Sequence, residues 1–202
     1  MKFRTISSSS ESKINIKGSK FLGYAFPVKN DEEISAQLDA ARDRHYDATH
    51  HCFAWQLGCG PDTRFRYHDD GEPSGTAGKP LYQTILKKEL TNVLVISVRY
   101  FGGTKLGTGG LARAYGMSAS LTLDKAKIIT VEKGIALHFR SSYEQHPYIL
   151  RTLNAYHVIR LNQDFGEDVT VVAEVHEHDT EKVLRDIRNA TRGDVRGEIC
   201  EK

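Results

Sequence analysis

The chain has 202 residues, of which 39% are hydrophobic and 27% are charged, and its formal net charge is +2. This composition is typical of a folded protein with one large domain or two small ones, and it excludes an intrinsically disordered chain. Because the sequence has neither a run of about 18 apolar residues nor an apolar signal-peptide core after Met1, we expect a cytoplasmic protein with no membrane association.

The first 130 residues are predicted to mix strands and helices. Strands are predicted where apolar or β-branched residues cluster between turn formers, at Lys13–Ile16, Phe21–Val28, His51–Leu57, Arg64–His68 and Val93–Val98. Helices are predicted where apolar residues recur at helical spacing, from Asn30 to about Asp47, at Pro80–Lys88 and at about Gly109–Leu123, with Leu111, Tyr115 and Leu121 facing inward. The almost wholly apolar Val93–Val98 is predicted to be the central strand, covered on both faces.

The remaining residues give a different pattern. They predict, in order, strand Val131–Phe139, helix Tyr143–Tyr156, strands Val158–Asn162 and Val169–Val175, helix Thr180–Ala190 and a strand near Val195–Cys200. This βαββαβ order predicts a ferredoxin-like sandwich of two helices on an antiparallel sheet. The fold class is therefore α+β, with a first domain at 1–130 and a second at 131–202.

The charge is divided unevenly between these two parts. Residues 1–130 contain 18 Lys and Arg against 13 Asp and Glu, whereas residues 131–202 contain 10 against 13. The basic excess favours a polyanion partner for the first part, although a solvated surface with no partner gives the same count.

Two glycine-rich segments each lead into a predicted helix. The first is His68-Asp69-Asp70-Gly71-Glu72-Pro73-Ser74-Gly75-Thr76-Ala77-Gly78-Lys79-Pro80, and the second runs from Arg99 to Arg113 and contains five glycines. Glycines allow close backbone approach, and the free amides of a helix N-terminus attract anions. Both segments therefore suggest phosphate binding, although tight packing alone also produces glycine-rich turns. Neither matches a nucleotide-binding P-loop or a dinucleotide-binding fingerprint.

Asp69, Asp70 and Glu72 form an acidic loop. One of the two histidines on the preceding strand, His50, is expected to face this loop across the sheet. These groups are able to hold Mg²⁺ or to act as an acid and base pair. The favoured interpretation is instead that they stabilise the loop by accepting backbone hydrogen bonds, as Asp commonly does in turns.

No catalytic nucleophile and no metal centre are expected. His50, His51 and Cys52 are consecutive on a strand, so their side chains alternate between its faces and cannot bind one zinc ion. Ser74 lacks the Gly-x-Ser-x-Gly context of a nucleophile. The three cysteines, Cys52, Cys59 and Cys200, are an odd number at wide spacings that match neither a disulfide framework nor a zinc-binding motif. They are therefore expected to be reduced.

The two glycine segments together resemble the signature of the YigZ/IMPACT family. The resemblance rests on Asp69 to Pro80, on Arg99-Tyr100-Phe101-Gly102-Gly103, on Lys105-Leu106-Gly107-Thr108-Gly109-Gly110-Leu111, and on Ala114-Tyr115-Gly116. It implies that the first domain resembles the second domain of ribosomal protein S5 and that the second domain resembles domain V of elongation factor G. It also implies a link to translation, because the eukaryotic members regulate translation.

The leading hypothesis is a non-enzymatic protein, without a cofactor, that binds RNA, the ribosome or a translation factor and regulates translation. The anion-binding residues would be Ser74, Thr76, Lys79, Arg99, Tyr100, Gly102, Gly103, Lys105, Gly107, Thr108, Gly109, Gly110 and Arg113. Tyr100 and the adjacent Phe101 are the candidates to stack on bases. The alternatives are a phosphotransferase-like or hydrolytic enzyme that uses the acidic loop, and a dimeric scaffold with no ligand. The sequence leaves open whether the protein is a monomer or a dimer.

Overall fold

The protein is described from a computed structural model that covers Lys2–Cys200. These residues form two compact units, a first unit of Phe3–Val131 and a second unit that comprises Lys2 and the residues from Glu132 onwards. The chain is a mixed α and β protein with three sheets. Within the described range, no helix combines the length and the apolar character needed to cross a bilayer.

The first unit is built around a five-stranded antiparallel sheet. Its elements are β1 (Lys2–Ile6), β2 (Ser10–Ile16), β3 (Ser19–Pro27), α1 (Asp31–Arg44), β4 (His50–Leu57), β5 (Arg64–His68), α2 (Gly78–Lys87), β6 (Val93–Tyr100), α3 (Gly107–Lys125) and β7 (Ile128–Glu132). The first residue of β1, Lys2, and the last residue of β7, Glu132, belong to the second unit. The large sheet has the order β2-β3-β6-β4-β5, and β1 pairs with β7 in a separate two-stranded sheet.

Strand β6 is the centre of the sheet, as predicted from its composition. Val93 and Val95 are fully buried in a core that includes α2 and α3, whereas Leu94 and Ile96 are buried in a core that includes α1. Because both faces are covered, the strand needs apolar residues at consecutive positions. This packing positions the end of β6, where Arg99 and Tyr100 lie.

Helix α1 begins where the sequence predicts. The Asn30 side chain accepts a hydrogen bond from the Glu33 amide at 2.9 Å, and the Glu33 carboxylate accepts one from the Lys29 amide at 2.9 Å. Such reciprocal bonds satisfy amides that have no partner inside the helix.

The second unit contains the predicted β-α-β-β-α-β order of elements. They are β8 (Ile135–Ser141), α4 (His146–Leu153), β9 (Val158–Phe165), β10 (Val169–Val175), α5 (Thr180–Ala190) and β11 (Gly197–Ile199). All neighbours in the sheet order β11-β8-β10-β9 are antiparallel. Its core contains buried residues from both helices and from β8 and β10, among them Leu137, Phe139, Ile149, Val171 and Ile187.

Several predicted boundaries are wrong. The single strand Val131–Phe139 is two strands, β7 and β8, separated around Gly134, whose missing side chain leaves room for the carbonyl oxygen of Val175. The helix predicted at Tyr143–Tyr156 is shortened to His146–Leu153, and β1 was not predicted. Leu121, predicted to face inward, is 38% exposed, because Ala119 and Leu123 continue the buried stripe of α3.

Candidate functional site

The two glycine-rich segments differ in whether the backbone amides at the start of the following helix have hydrogen-bond acceptors. At the start of α2, the Asp69 carboxylate accepts hydrogen bonds from the amides of Gly75 (2.8 Å), Ala77 (2.9 Å) and Gly78 (2.8 Å). The expectation of free amides in this first segment is therefore wrong. Asp69 instead stabilises the loop by accepting backbone hydrogen bonds, which is the interpretation that its position in a turn favoured.

Other residues of this segment also form hydrogen bonds within the structure. The Asp70 carboxylate accepts a hydrogen bond from the His51 amide at 2.6 Å, and its backbone carbonyl accepts one from Nδ1 of His50 at 2.8 Å. The Thr76 hydroxyl donates to the Pro73 carbonyl at 2.6 Å, whereas Ser74 is exposed. His50 contacts the loop through its bond to the Asp70 carbonyl, and the carboxylates of Asp69 and Asp70 accept from backbone amides.

Glu72 belongs to a buried polar network with Arg99. Its side chain is 3% exposed, and its Oε1 accepts hydrogen bonds from Arg99 at 2.6 Å and from the Tyr115 hydroxyl at 2.7 Å. The guanidinium also donates to the Ser19 hydroxyl at 3.2 Å, and His50 Nε2 lies 3.8 Å from the carboxylate. These contacts fix the guanidinium at the end of β6.

The buried network contains no activated nucleophile. Burial raises the pKa of the Cys52 thiol far above its usual range, with smaller contributions from nearby acidic groups, and the thiol donates to the Asp69 carbonyl. Burial likewise raises the pKa of Tyr115, whose hydroxyl donates a hydrogen bond to Glu72. Because the thiolate is the reactive form of cysteine, Cys52 is inert.

The start of α3 differs from that of α2, because its amides are open. No side chain caps this helix, and the amides of Gly107, Thr108 and Gly109 have no acceptor among the described residues. All three residues are exposed. The backbone enters the helix through Gly107 at φ +70°, a conformation that favours glycine. A helix N-terminus with open amides carries a partial positive charge that attracts anions.

Gly107 and Thr108 line a surface cavity of about 330 Å³. Its lining combines cations, helix-start residues, one acid and apolar side chains: Glu72, Pro73, Arg99, Phe101, Lys105, Leu106, Gly107, Thr108 and Leu111. The Arg99 side chain is 5% exposed, and its Nε has no hydrogen-bond partner in the described part of the chain. Lys105 is exposed and forms no ion pair with any described residue. Arg99, Lys105 and the start of α3 therefore give the cavity a basic lining beside the Glu72 carboxylate.

Arg113 extends this basic surface along α3. Its guanidinium lies 3.5 Å from the position that a Cβ atom on Gly109 would take, and it lines a groove of about 310 Å³ together with Lys87 of α2. Gly109 directly follows Gly107 and Thr108, which line the cavity, so Arg113 brings a second cation close to the first turn of α3. Lys79 is exposed in the first turn of α2 but lines neither depression.

The remaining predicted anion-binding residues of the loop between β6 and α3 have different roles in the structure. Gly102 is required for packing, because a Cβ atom there would lie 1.9 Å from the backbone of Gly18, and its amide donates to Ser19. Gly103 is exposed and lines no part of the cavity, while Gly110 packs against Leu106. Phe101, which follows Tyr100, is 47% exposed and lines the cavity.

Tyr100 takes part in a hydrogen-bonded chain on the other side of the sheet. Its ring is covered by the Lys20 ammonium at 3.9 Å, and its hydroxyl donates to Asp47 at 3.1 Å. His45 donates to that hydroxyl through Nδ1 and accepts from Tyr24 through Nε2, at 3.0 and 2.8 Å. Because Lys20 covers its ring, Tyr100 is less suited than Phe101 to stack on a base.

We expect His45 to make stability depend on pH. Burial, reinforced by Arg44 and other nearby cations, lowers the pKa of His45 below its unfolded value of 6.5. Protons therefore bind the unfolded chain more readily, and the free energy of unfolding decreases as pH falls below 6.5 towards the folded pKa. In urea unfolding at about pH 7.5 and about pH 5, the His45→Gln variant should lose less stability than the wild type. Equal losses in both proteins would exclude this role.

Comparison with known proteins identifies the family. A family model described as the Impact N-terminal domain matches residues 17–123. The chain is 30% identical over 189 residues to the IMPACT family member YvyE of Bacillus subtilis (strain 168), covering 94% of this chain and 87% of that protein. It is 32% identical over 181 residues to an IMPACT family member of Haemophilus influenzae, covering 88% and 87%. The crystal structure of a hypothetical protein matches with a TM-score of 0.72 at 26% identity, covering 100% of this chain and 98% of that chain. The chain belongs to the IMPACT family.

Proposed function

We propose that this protein is a non-enzymatic binding protein whose first unit holds the phosphate backbone of RNA at the start of α3. The observation that carries the proposal is the cavity in which the open amides of Gly107 and Thr108 lie beside Arg99 and Lys105. Backbone amides and cations at one helix start are the groups that bind phosphate oxygens. Glu72 neutralises part of the charge of Arg99, so Lys105 and the helix amides supply most of the attraction.

An extended polyanion fits this surface better than a small phosphate. The groove along α2 and α3 is lined by Arg113, whose guanidinium lies beside Gly109, the residue after Gly107 and Thr108 of the cavity lining. A chain of phosphates is able to contact Lys105 and Arg113 in succession, whereas a single phosphate reaches one of them. Phe101, half-exposed in the cavity, offers a ring on which an unpaired base stacks, which favours single-stranded RNA.

The link to translation rests on the family. Members of the YigZ/IMPACT family in eukaryotes regulate translation, and the resemblance implies that the two domains, at 1–130 and 131–202, resemble domain 2 of ribosomal protein S5 and domain V of elongation factor G. The sheet order of the second unit agrees with a ferredoxin-like fold. We therefore propose that the RNA is ribosomal, that the protein acts in the cytoplasm, and that binding regulates translation.

The enzyme alternative has less support. Asp69 and Asp70 accept hydrogen bonds from backbone amides, and Glu72 accepts them from Arg99 and Tyr115. Two carboxylates with separated pKa values in one cleft are what acid–base catalysis requires. A thermal-shift measurement with ATP and Mg²⁺ checks this: a metal-dependent stabilisation by the nucleotide would favour the enzyme.

Charge reversal at Lys105 and Arg113 tests RNA binding. Binding of a fluorescein-labelled single-stranded RNA, and of purified bacterial ribosomes, is measured over a range of salt concentrations for the wild type and for Lys105→Glu with Arg113→Glu. Each lost phosphate contact lowers the slope of log affinity against log salt by about 0.7 for a single strand, so we expect the slope to fall by about 1.4. The affinity at low salt should fall more than about tenfold.

A matched double reversal at Lys29→Glu with Arg42→Glu is the control. Both residues are exposed and lie at the start and end of α1, which packs on the opposite face of the sheet from α2 and α3. The control should bind RNA nearly as well as the wild type. Equal losses in both double variants, or binding that is indifferent to salt and to charge reversal, would contradict the proposal.

A further inference from the structure

The second unit brings together two histidines and a glutamate that no sequence pattern joined. Glu132 is the last residue of β7, His157 directly precedes β9 and His176 directly follows β10. Because Val158 pairs with Val175 in the antiparallel β9–β10 ladder, the two histidines are neighbours at the ends of these strands. Their rings stack with centroids 5.2 Å apart and an interplanar angle of 18°.

Both imidazoles present Nε2 to the same carboxylate. The distance is 3.1 Å from His176 Nε2 to Glu132 Oε1 and 3.8 Å from His157 Nε2 to Glu132 Oε2. The three ligand atoms all lie within 4.8 Å of one another. Tetrahedral coordination with bonds of about 2.0–2.1 Å places neighbouring ligand atoms about 3.4 Å apart, which lies between the two measured distances.

We propose that Glu132, His157 and His176 bind a divalent transition-metal ion, of which zinc fits best. Two imidazoles with one carboxylate are a ligand set for Zn²⁺ and its neighbours, whereas Mg²⁺ and Ca²⁺ prefer sites made of oxygen ligands alone. Three protein ligands leave a fourth tetrahedral position for water or an external ligand.

The neighbouring charged groups leave the ligand set accessible. The side chain of His157 is 67% exposed, and those of Glu132 and His176 are each 22% exposed, so an ion reaches them from solvent. The Lys2 ammonium lies 3.7 Å from the Glu132 carboxylate on a 68% exposed side chain, and it is able to move aside. His178 stacks on His176 but its Nε2 lies 3.3 Å from the Asp179 carboxylate, outside the proposed ligand set.

Metal titration of the full chain tests this site. Protein that carries no histidine tag is freed of metal with a chelator and titrated with Co²⁺, whose absorption bands report coordination, and then with Zn²⁺ in competition. We expect one ion per chain, displacement of Co²⁺ by Zn²⁺, and a loss of affinity of about 100-fold or more in His157→Ala. His157 is exposed, so this variant should unfold at the wild-type urea concentration.

His178→Ala is the matched control, because it removes a stacked imidazole that is not a proposed ligand. It should retain affinity within about tenfold of the wild type, since only a stacking neighbour of the ligand His176 is lost. No saturable binding by the wild type, wild-type affinity in His157→Ala, or equal losses in His157→Ala and His178→Ala would overturn the proposal and leave the cluster as a histidine–glutamate ion pair.

Discussion

Replacing Glu72 by glutamine is expected to lower the free energy of unfolding by about 3 kcal/mol, at the lower end of the range for breaking a buried ion pair. Both side chains of the Glu72–Arg99 pair are almost fully buried, so the variant leaves the Arg99 charge without a counter-ion. Glutamine keeps the shape and an acceptor for Tyr115, which isolates the effect of the charge. Urea unfolding of the wild type and variant measures the difference.

An exposed ion pair supplies the control for this loss. Arg64 and Asp31 lie 3.0 Å apart with side chains that are 61% and 57% exposed, so Arg64→Gln should cost less than about 1 kcal/mol. Arg99→Met combined with Glu72→Gln should cost less than the sum of the single variants, because neither charge is then left alone. A loss at Glu72 no larger than that at Arg64 would show that the network contributes little to stability.

The second large effect is expected for Asp69→Ala, which leaves the amides of Gly75, Ala77 and Gly78 without their acceptor. Hydrogen bonds to a charged group and helix caps both stabilise the folded state, so we expect the free energy of unfolding to fall by about 2–4 kcal/mol. Urea unfolding measures this loss. Asp69→Asn should lose less, because its remaining oxygen is able to accept from Ala77 and Gly78.

The Asp69→Ala variant should also gain an anion site. Its α2 amides become free, so sulfate should raise its stability more than it raises that of the wild type. Asp62→Ala, at an exposed position without a side-chain hydrogen bond among the described residues, should change stability by less than about 0.5 kcal/mol. If Asp69→Ala is as stable as Asp62→Ala, the carboxylate does not hold the loop.

The difference between the two glycine segments shows how far the sequence predicts the site. Both have the local pattern of a strand, a glycine-rich loop and a helix, so both indicated open amides. Only the three-dimensional structure shows that the Asp69 side chain accepts hydrogen bonds from the amides at the start of α2 and that no side chain does so at the start of α3. The pairing of Glu72 with Arg99 joins positions 27 residues apart, and no local pattern reveals it.

The fold was predicted best where the determinants are local. The apolar run Val93–Val98 and the Asn30 cap identified the central strand and the start of α1. The break at Gly134 depends on its close approach to Val175, a contact made by the tertiary fold. Phe101 was ranked with Tyr100 because they are adjacent, but Lys20, which pairs across the sheet with Tyr100, covers the Tyr100 ring.

The most direct measurement follows individual amides during RNA binding. In amide nitrogen–proton correlation spectra of the full chain titrated with single-stranded RNA, the signals of Gly107, Thr108 and Gly109 should shift and saturate. Those of Ala77 and Gly78, which Asp69 already covers, should remain almost unchanged. If RNA binds while the signals at the start of α3 stay in place, the phosphate backbone is held elsewhere and the proposed site is wrong.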